Sequence, residues 1–87
     1  MSTSDRPRYY IVWLFRPQVI LFADAIERFG RQTMNEWHYN KVDGFRVKLT
    51  RQEASILKLS IPNVIVNRSK TLGGKRMLLP PPEMFRP

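Results

Sequence analysis

Thr50 and Glu53 constrain this chain more tightly than any other pair of residues. A Thr three residues ahead of a Glu is the spacing of a capping box. The Thr hydroxyl accepts from the third helical N–H, and the Glu carboxylate reaches back to the Thr N–H. A helix therefore starts at about Arg51 and carries Ala54, Ile56 and Leu57. Ile61-Pro62-Asn63 stops it, because Pro offers no N–H and restricts the residue before it. Ahead of the helix, Phe45, Val47 and Leu49 alternate with Arg46 and Lys48. That is a strand with one buried and one wet face. Asp43-Gly44, just before it, is a turn signal, since Gly accepts a positive φ without steric cost. Val64-Ile65-Val66, after the helix, is β-branched throughout and reads as another strand. The unit is turn, strand, capped helix, turn, strand.

The N-terminal half mirrors this unit. Tyr9–Phe15 reads as a strand with two apolar sets: Tyr9, Ile11, Trp13 and Phe15 on one face, Tyr10, Val12 and Leu14 on the other. Such a strand is central, or its outer face meets a partner. Pro17 suits the first position of a helix. Val19, Phe22, Ala23, Ile26, Phe29, Gly30 and Thr33 then follow 3-and-4 spacing, giving an amphipathic helix that ends between Gly30 and Met34. Gly30 either lets the helix sit close to the sheet or begins its end. Glu36–Asn40 is a weaker strand with Trp37 and Tyr39 on one face. It leads through Lys41-Val42-Asp43-Gly44 into the Phe45 strand as a hairpin.

The order β-α-β-β-α-β predicts an α+β, single ferredoxin-like domain: a four-stranded antiparallel sheet with two helices on one face and an extended C-terminal tail. Residues 1–8 form a flexible lead, 9–70 the domain, and 71–87 a Gly- and Pro-containing basic tail. Gly73-Gly74 and four prolines favour a tail that is a free arm. The alternative is a lid, with Met77-Leu78-Leu79 folded over the sheet.

At 87 residues there is room for one domain with a small core. Fifteen Lys and Arg against seven Asp and Glu give +8, which suits a nucleic acid or an acidic protein surface. From Ala54 to Pro82 there is no acid, while Lys58, Arg68, Lys70, Lys75 and Arg76 all fall there. The chain has no Cys, so neither disulfides nor thiolate metal sites are available. A cytoplasmic location fits that composition. Arg6 and Arg8 before YYIVWLF, with Ala23-Asp24-Ala25 beyond, mimic a signal peptide, but Arg16-Pro17 breaks the apolar run. No run reaches the length of a membrane span.

Tyr10-Ile11-Val12, the first helix, Gly44-Phe45 running into Leu49-Thr50, and Pro62-Asn63-Val64 resemble, in order and spacing over about Tyr9–Lys70, the propeptide-like inhibitors of subtilisin-type serine proteases. The resemblance implies the ferredoxin-like fold. It also implies an open sheet face laid against a protease and a C-terminal tail directed to its active-site cleft. This chain departs from the family at Asn67, Arg68 and Lys70, where acidic residues are common, and at Gly73-Gly74 and the proline run.

Catalysis finds no constellation in the sequence, and a non-enzyme with no metal or cofactor is expected. His38 is the only His and has no second His or Cys beside it in a ligand pattern. Asp24 and Glu27, next to Arg28 and Arg31, read as a solvated helix face. Gly73-Gly74-Lys75 lacks the spacing of a phosphate loop. The expected binding residues are Tyr9, Ile11, Trp13 and Phe15 on the open face, with Arg46, Lys48, Arg68, Lys70, Lys75 and Arg76. Their expected partner is a larger protein or enzyme, with non-specific nucleic acid second and no membrane. Two other readings stay open. The first is a nucleic-acid-binding domain, since Tyr9–Trp13 and Asp43–Val47 faintly resemble the sheet motifs of an RNA-recognition domain, or a small basic protein that blocks a nucleic-acid enzyme. The second is a structural subunit of an assembly.

Overall fold

A computed structural model describes residues 5–69 and 79–85. Four strands form one antiparallel sheet: β1 (Arg8–Phe15), β2 (Thr33–Tyr39), β3 (Val42–Leu49) and β4 (Ile65–Arg68), in the order β2-β3-β1-β4. Helix α1 (Val19–Phe29) follows β1 through a 3₁₀ turn (Arg16–Gln18), and α2 (Arg51–Ser60) joins β3 to β4. A last 3₁₀ turn covers Pro82–Phe85. This is the ferredoxin-like arrangement that the sequence order predicts.

The start of α2 and the end of α1 each have a chemical cause. The capping box is present: Thr50 Oγ1 accepts from the Glu53 N–H at 3.1 Å, and the Thr50 N–H donates to Glu53 Oε1 at 3.0 Å. The two N–H groups the box leaves open, those of Arg51 and Gln52, donate to the two carboxylate oxygens of Asp5 at 2.8 and 3.2 Å. The N-terminal lead, expected to be loose, is therefore held at Asp5, and the strand begins at Arg8. Gly30 ends α1 in the left-handed region (φ 71°), and a Cβ there would meet nothing within 4 Å. It is a helix terminator and not a close-packing position.

The two sets of β1 divide the interior. Tyr10, Val12 and Leu14 pack with Phe45, Val47, Leu49 and Val66 under Phe22 and Ile26 of α1 and Ala54 and Leu57 of α2. Phe22 and Phe45 stack at 4.7 Å. Of the apolar residues that α2 carries, Ala54 and Leu57 are buried and Ile56 is exposed. Arg31 bonds Glu53 at 3.0 and 3.4 Å, which ties the end of α1 to the start of α2.

The hairpin differs from expectation. Tyr39 pairs with Val42, so Asn40-Lys41 is the turn, with Asn40 at φ 55°. Asp43 and Gly44 lie inside β3. Gly44 is required there by Trp13: a Cβ would stand 2.6–2.7 Å from three carbons of the indole.

Candidate functional site

The register places Tyr9, Ile11, Trp13 and Phe15 opposite Lys48, Arg46, Gly44 and Val42, on the face away from the helices. Trp37 and Tyr39 of β2 join them opposite Gly44 and Val42, and Ile65 and Asn67 of β4 complete the row. Strand alternation alone brings these residues onto one surface.

The centre of that surface is covered in the free chain, while Tyr39, Lys48 and Asn67 at its margins stay exposed. Ile11, Trp13, Trp37 and Val42 form a second apolar cluster with Met84, and Phe15 and Ile65 pack at its margin. Trp13 is only 3% exposed and Met84 6%. The two indoles lie 6.3 Å apart. The face is therefore not open, and the C-terminal end is a lid, contrary to the free arm expected from Gly73-Gly74 and the prolines. The residue that closes it is Met84. Of the Met77-Leu78-Leu79 run, Leu79 is exposed, and Met77 and Leu78 lie outside the described residues.

Arg46 is the anomaly of this face. The alternation predicts an outward, solvated cation, yet Arg46 is 5% exposed. Its guanidinium lies 5.6 Å from the centroid of the Trp37 ring, and one Nη donates to Asn35 Oδ1 at 3.3 Å. Its Nε is buried without a hydrogen-bond partner, and it has no carboxylate partner among the described residues. Burying an arginine with this little compensation costs stability.

The other expected binding residues scatter. Tyr9 is half-buried, with the exposed Lys48 ammonium 5.4 Å from its ring centroid. Arg68 stands opposite Tyr10, on the helix side of β4. Lys70, Lys75 and Arg76 lie outside the described residues. Of the aromatics on which base stacking would rest, Phe45 faces α1 and Trp13 is buried, as is Trp37. The sequence pattern gives no sign of Met84, and it sets Trp37 beside Tyr39 on one face of β2 without saying which; the register puts that face with Trp13.

His38 has a partner that sequence spacing does not reveal. Its Nδ1 lies 2.8 Å from Asp43 Oδ1, its neighbour across the hairpin, and Nε2 lies 3.8 Å from Glu36. Arg16 donates to the same Asp43 carboxylate through Nε and Nη2 at 3.0–3.4 Å. Burial raises the pKa of Asp43, but the hydrogen bonds from Arg16 and then His38, with their charges, outweigh it and hold the carboxyl below its ordinary 3.8. The backbone follows the same link, Arg16 N–H donating to Lys41 C=O at 3.0 Å. The cluster pins the hairpin to the β1–α1 corner. Among the described residues no group of three His, Cys, Asp or Glu could hold a metal ion, and no helix is long and apolar enough to cross a membrane.

Compared with known proteins, the chain matches no family model, no curated protein and no solved structure.

Proposed function

We propose that this chain is a small non-catalytic binding module that docks on a larger protein through the helix-free face of its sheet. The observation that carries the reading is Arg46. A surface built only for stability has no use for a buried guanidinium with a free Nε over the Trp37 ring. Sites that serve a partner do carry such local costs. A carboxylate or carbonyl from a partner would satisfy it, and the indoles around it suit an apolar anchor. Met84 occupies that anchor position in the free chain and gives it up on docking. The order of motifs over about Tyr9–Lys70 names the first target class, subtilisin-type serine proteases, with the chain acting as an inhibitor.

Arg46→Met tests this with a paired readout. Inhibition of a subtilisin-type protease by the parent chain is measured alongside denaturant unfolding of both proteins. The reading expects the variant to be as stable as the parent or more so, because a buried cation is replaced by an apolar side chain of similar length. It expects inhibition to weaken by roughly tenfold or more. A parent chain that leaves the protease fully active removes the target class. A variant that is strongly destabilised makes Arg46 structural and removes the argument for the face.

A further inference from the structure

We propose that a second site, on the helix side of the molecule, binds a phosphate group. It is a cleft of about 370 Å³ between the N-terminal lead, β1, α2 and β4, lined by Arg6, Arg8, Arg51 and Arg68 with Gln52 and Ser55. The four arginines come from three parts of the chain: Arg6 and Arg8 around the start of β1, Arg51 at the start of α2, and Arg68 at the end of β4. Each is exposed, and none makes an ion pair among the described residues.

The carboxylate at this cleft is that of Asp5, and both its oxygens are taken by the Arg51 and Gln52 N–H groups. The start of α2 is thus already filled, and the guanidinium groups are what remains for a ligand. Four guanidinium charges against the single Asp5 carboxylate leave a net repulsion around this concavity. An anion with several acceptor oxygens removes that cost. Phosphate fits better than a carboxylate because its oxygens can take forked bonds from more than one guanidinium. The Ser55 hydroxyl and the Gln52 amide add neutral donors. The cleft lies at the small end of ligand-pocket sizes, roughly 300–1,000 Å³. It therefore has room for the group to which a phosphate ester is attached, in a free nucleotide or in a nucleic-acid strand.

The sequence gives these residues no common motif. Arg8 and Arg68 flank Tyr10 through the sheet register, Arg8 on the same strand and Arg68 on the next. The site shares no residue with the Arg46 face, so either proposal can fail alone.

The test is an amide-resolved NMR titration of the full chain at physiological salt with inorganic phosphate, a nucleoside monophosphate and a short single-stranded oligonucleotide. The proposal expects saturable shifts concentrated at Arg8, Arg51, Gln52, Ser55 and Arg68. It expects the double change Arg51→Ala/Arg68→Ala to weaken binding by about tenfold or more. Lys41→Ala/Lys58→Ala, an equal loss of charge at exposed positions elsewhere, should weaken it by less than about threefold. A monophosphate that binds as tightly as the oligonucleotide identifies a free nucleotide as the source; a tighter oligonucleotide identifies a strand. Shifts spread over every basic residue, equal losses in the two double variants, or no saturation would each overturn the proposal and reduce the effect to the general attraction of a cationic chain. Unfolding midpoints of both variants confirm that the fold is retained.

Discussion

Met84→Ala separates a lid from a tail that merely lies nearby. Met84 is 6% exposed and packs on Ile11, Trp13, Trp37 and Val42. Burying a side chain of this size contributes about 1.5–3 kcal/mol. Truncating it in a rigid core would add a cavity and bring the cost to roughly 2–5 kcal/mol. Here the side chain stands on a 3₁₀ turn held to the preceding residues by the Met84 N–H to Pro81 C=O bond of 3.0 Å. Such a turn can leave the sheet rather than enclose a void, so the loss is capped near the free energy of docking. We expect about 2–3 kcal/mol, a fall in midpoint temperature of roughly 10–20 °C for a domain this small. The assay is built into the molecule: its two tryptophans are Trp13 and Trp37, and both lie under this lid. Their emission should shift to the red in the variant under native conditions, before any unfolding. Under the docking proposal the same variant should bind the partner more tightly, because a competing occupant has been removed. Stability within about 0.5 kcal/mol of the parent, with unchanged tryptophan emission, would show that Met84 does not cover the face.

Three further outcomes follow from the geometry. Thr50→Ala removes the acceptor for the Glu53 N–H and should cost about 0.5–2 kcal/mol in denaturant unfolding. Gly44→Ala drives a methyl into the Trp13 ring and should cost roughly 1–3 kcal/mol; an unchanged midpoint would mean the indole is free to move. Asp43→Asn should cost about 1–3 kcal/mol near neutral pH, at the lower end because Arg16 is half exposed and can rehydrate. The carboxyl titrates below its ordinary 3.8, so its contribution is complete above that value and disappears as pH falls through the depressed one. The acid limb of the stability profile should therefore flatten in the variant, and a parallel limb would count against the Arg16 and His38 bonds.

What could be read from the sequence follows the range of the forces involved. The capping box, the Pro62 stop and the apolar periodicities act within a few residues, and each produced an element of the expected type; the bounds moved where Thr33, counted with the helix by its spacing, opens β2 instead, three residues before the expected Glu36–Asn40 strand. Phe45 belongs to the helix side because strand alternation assigns it there, and the stack on Phe22 supplies the partner. Gly30 could not be decided from its neighbours; its φ of 71° shows a helix terminator. The lid was harder still. Prolines and glycines describe the stiffness of a tail, whereas Met84 is held by four residues drawn from three strands. The gathering of the cleft arginines was invisible for the same reason, since the Arg6/Arg8 pair, Arg51 and Arg68 lie far apart in the chain.

Asp43-Gly44 makes the point most sharply, because the same dipeptide can be right for two unrelated reasons. In a hairpin loop, Asp-Gly is favoured by local backbone geometry. Here the turn falls at Asn40-Lys41, three residues earlier, where Asn40 accepts φ 55°. Asp43 is present for a carboxylate that Arg16, 27 residues away, and His38 across the hairpin both reach. Gly44 is present for its missing side chain, which leaves room for Trp13 on the neighbouring strand. Had the turn fallen at Asp43-Gly44, β3 would lose the residues that pair with Trp13 and Leu14. The Trp13 ring would then have no recess, and the Asp43 carboxylate would not reach the β1–α1 corner. The register of β1 against β3 is thus fixed from opposite faces at adjacent residues, by an ion cluster on the helix side and an indole on the other. A shift of one residue would put Asp43 against the tryptophans and Gly44 against Arg16, and neither exchange can be accommodated.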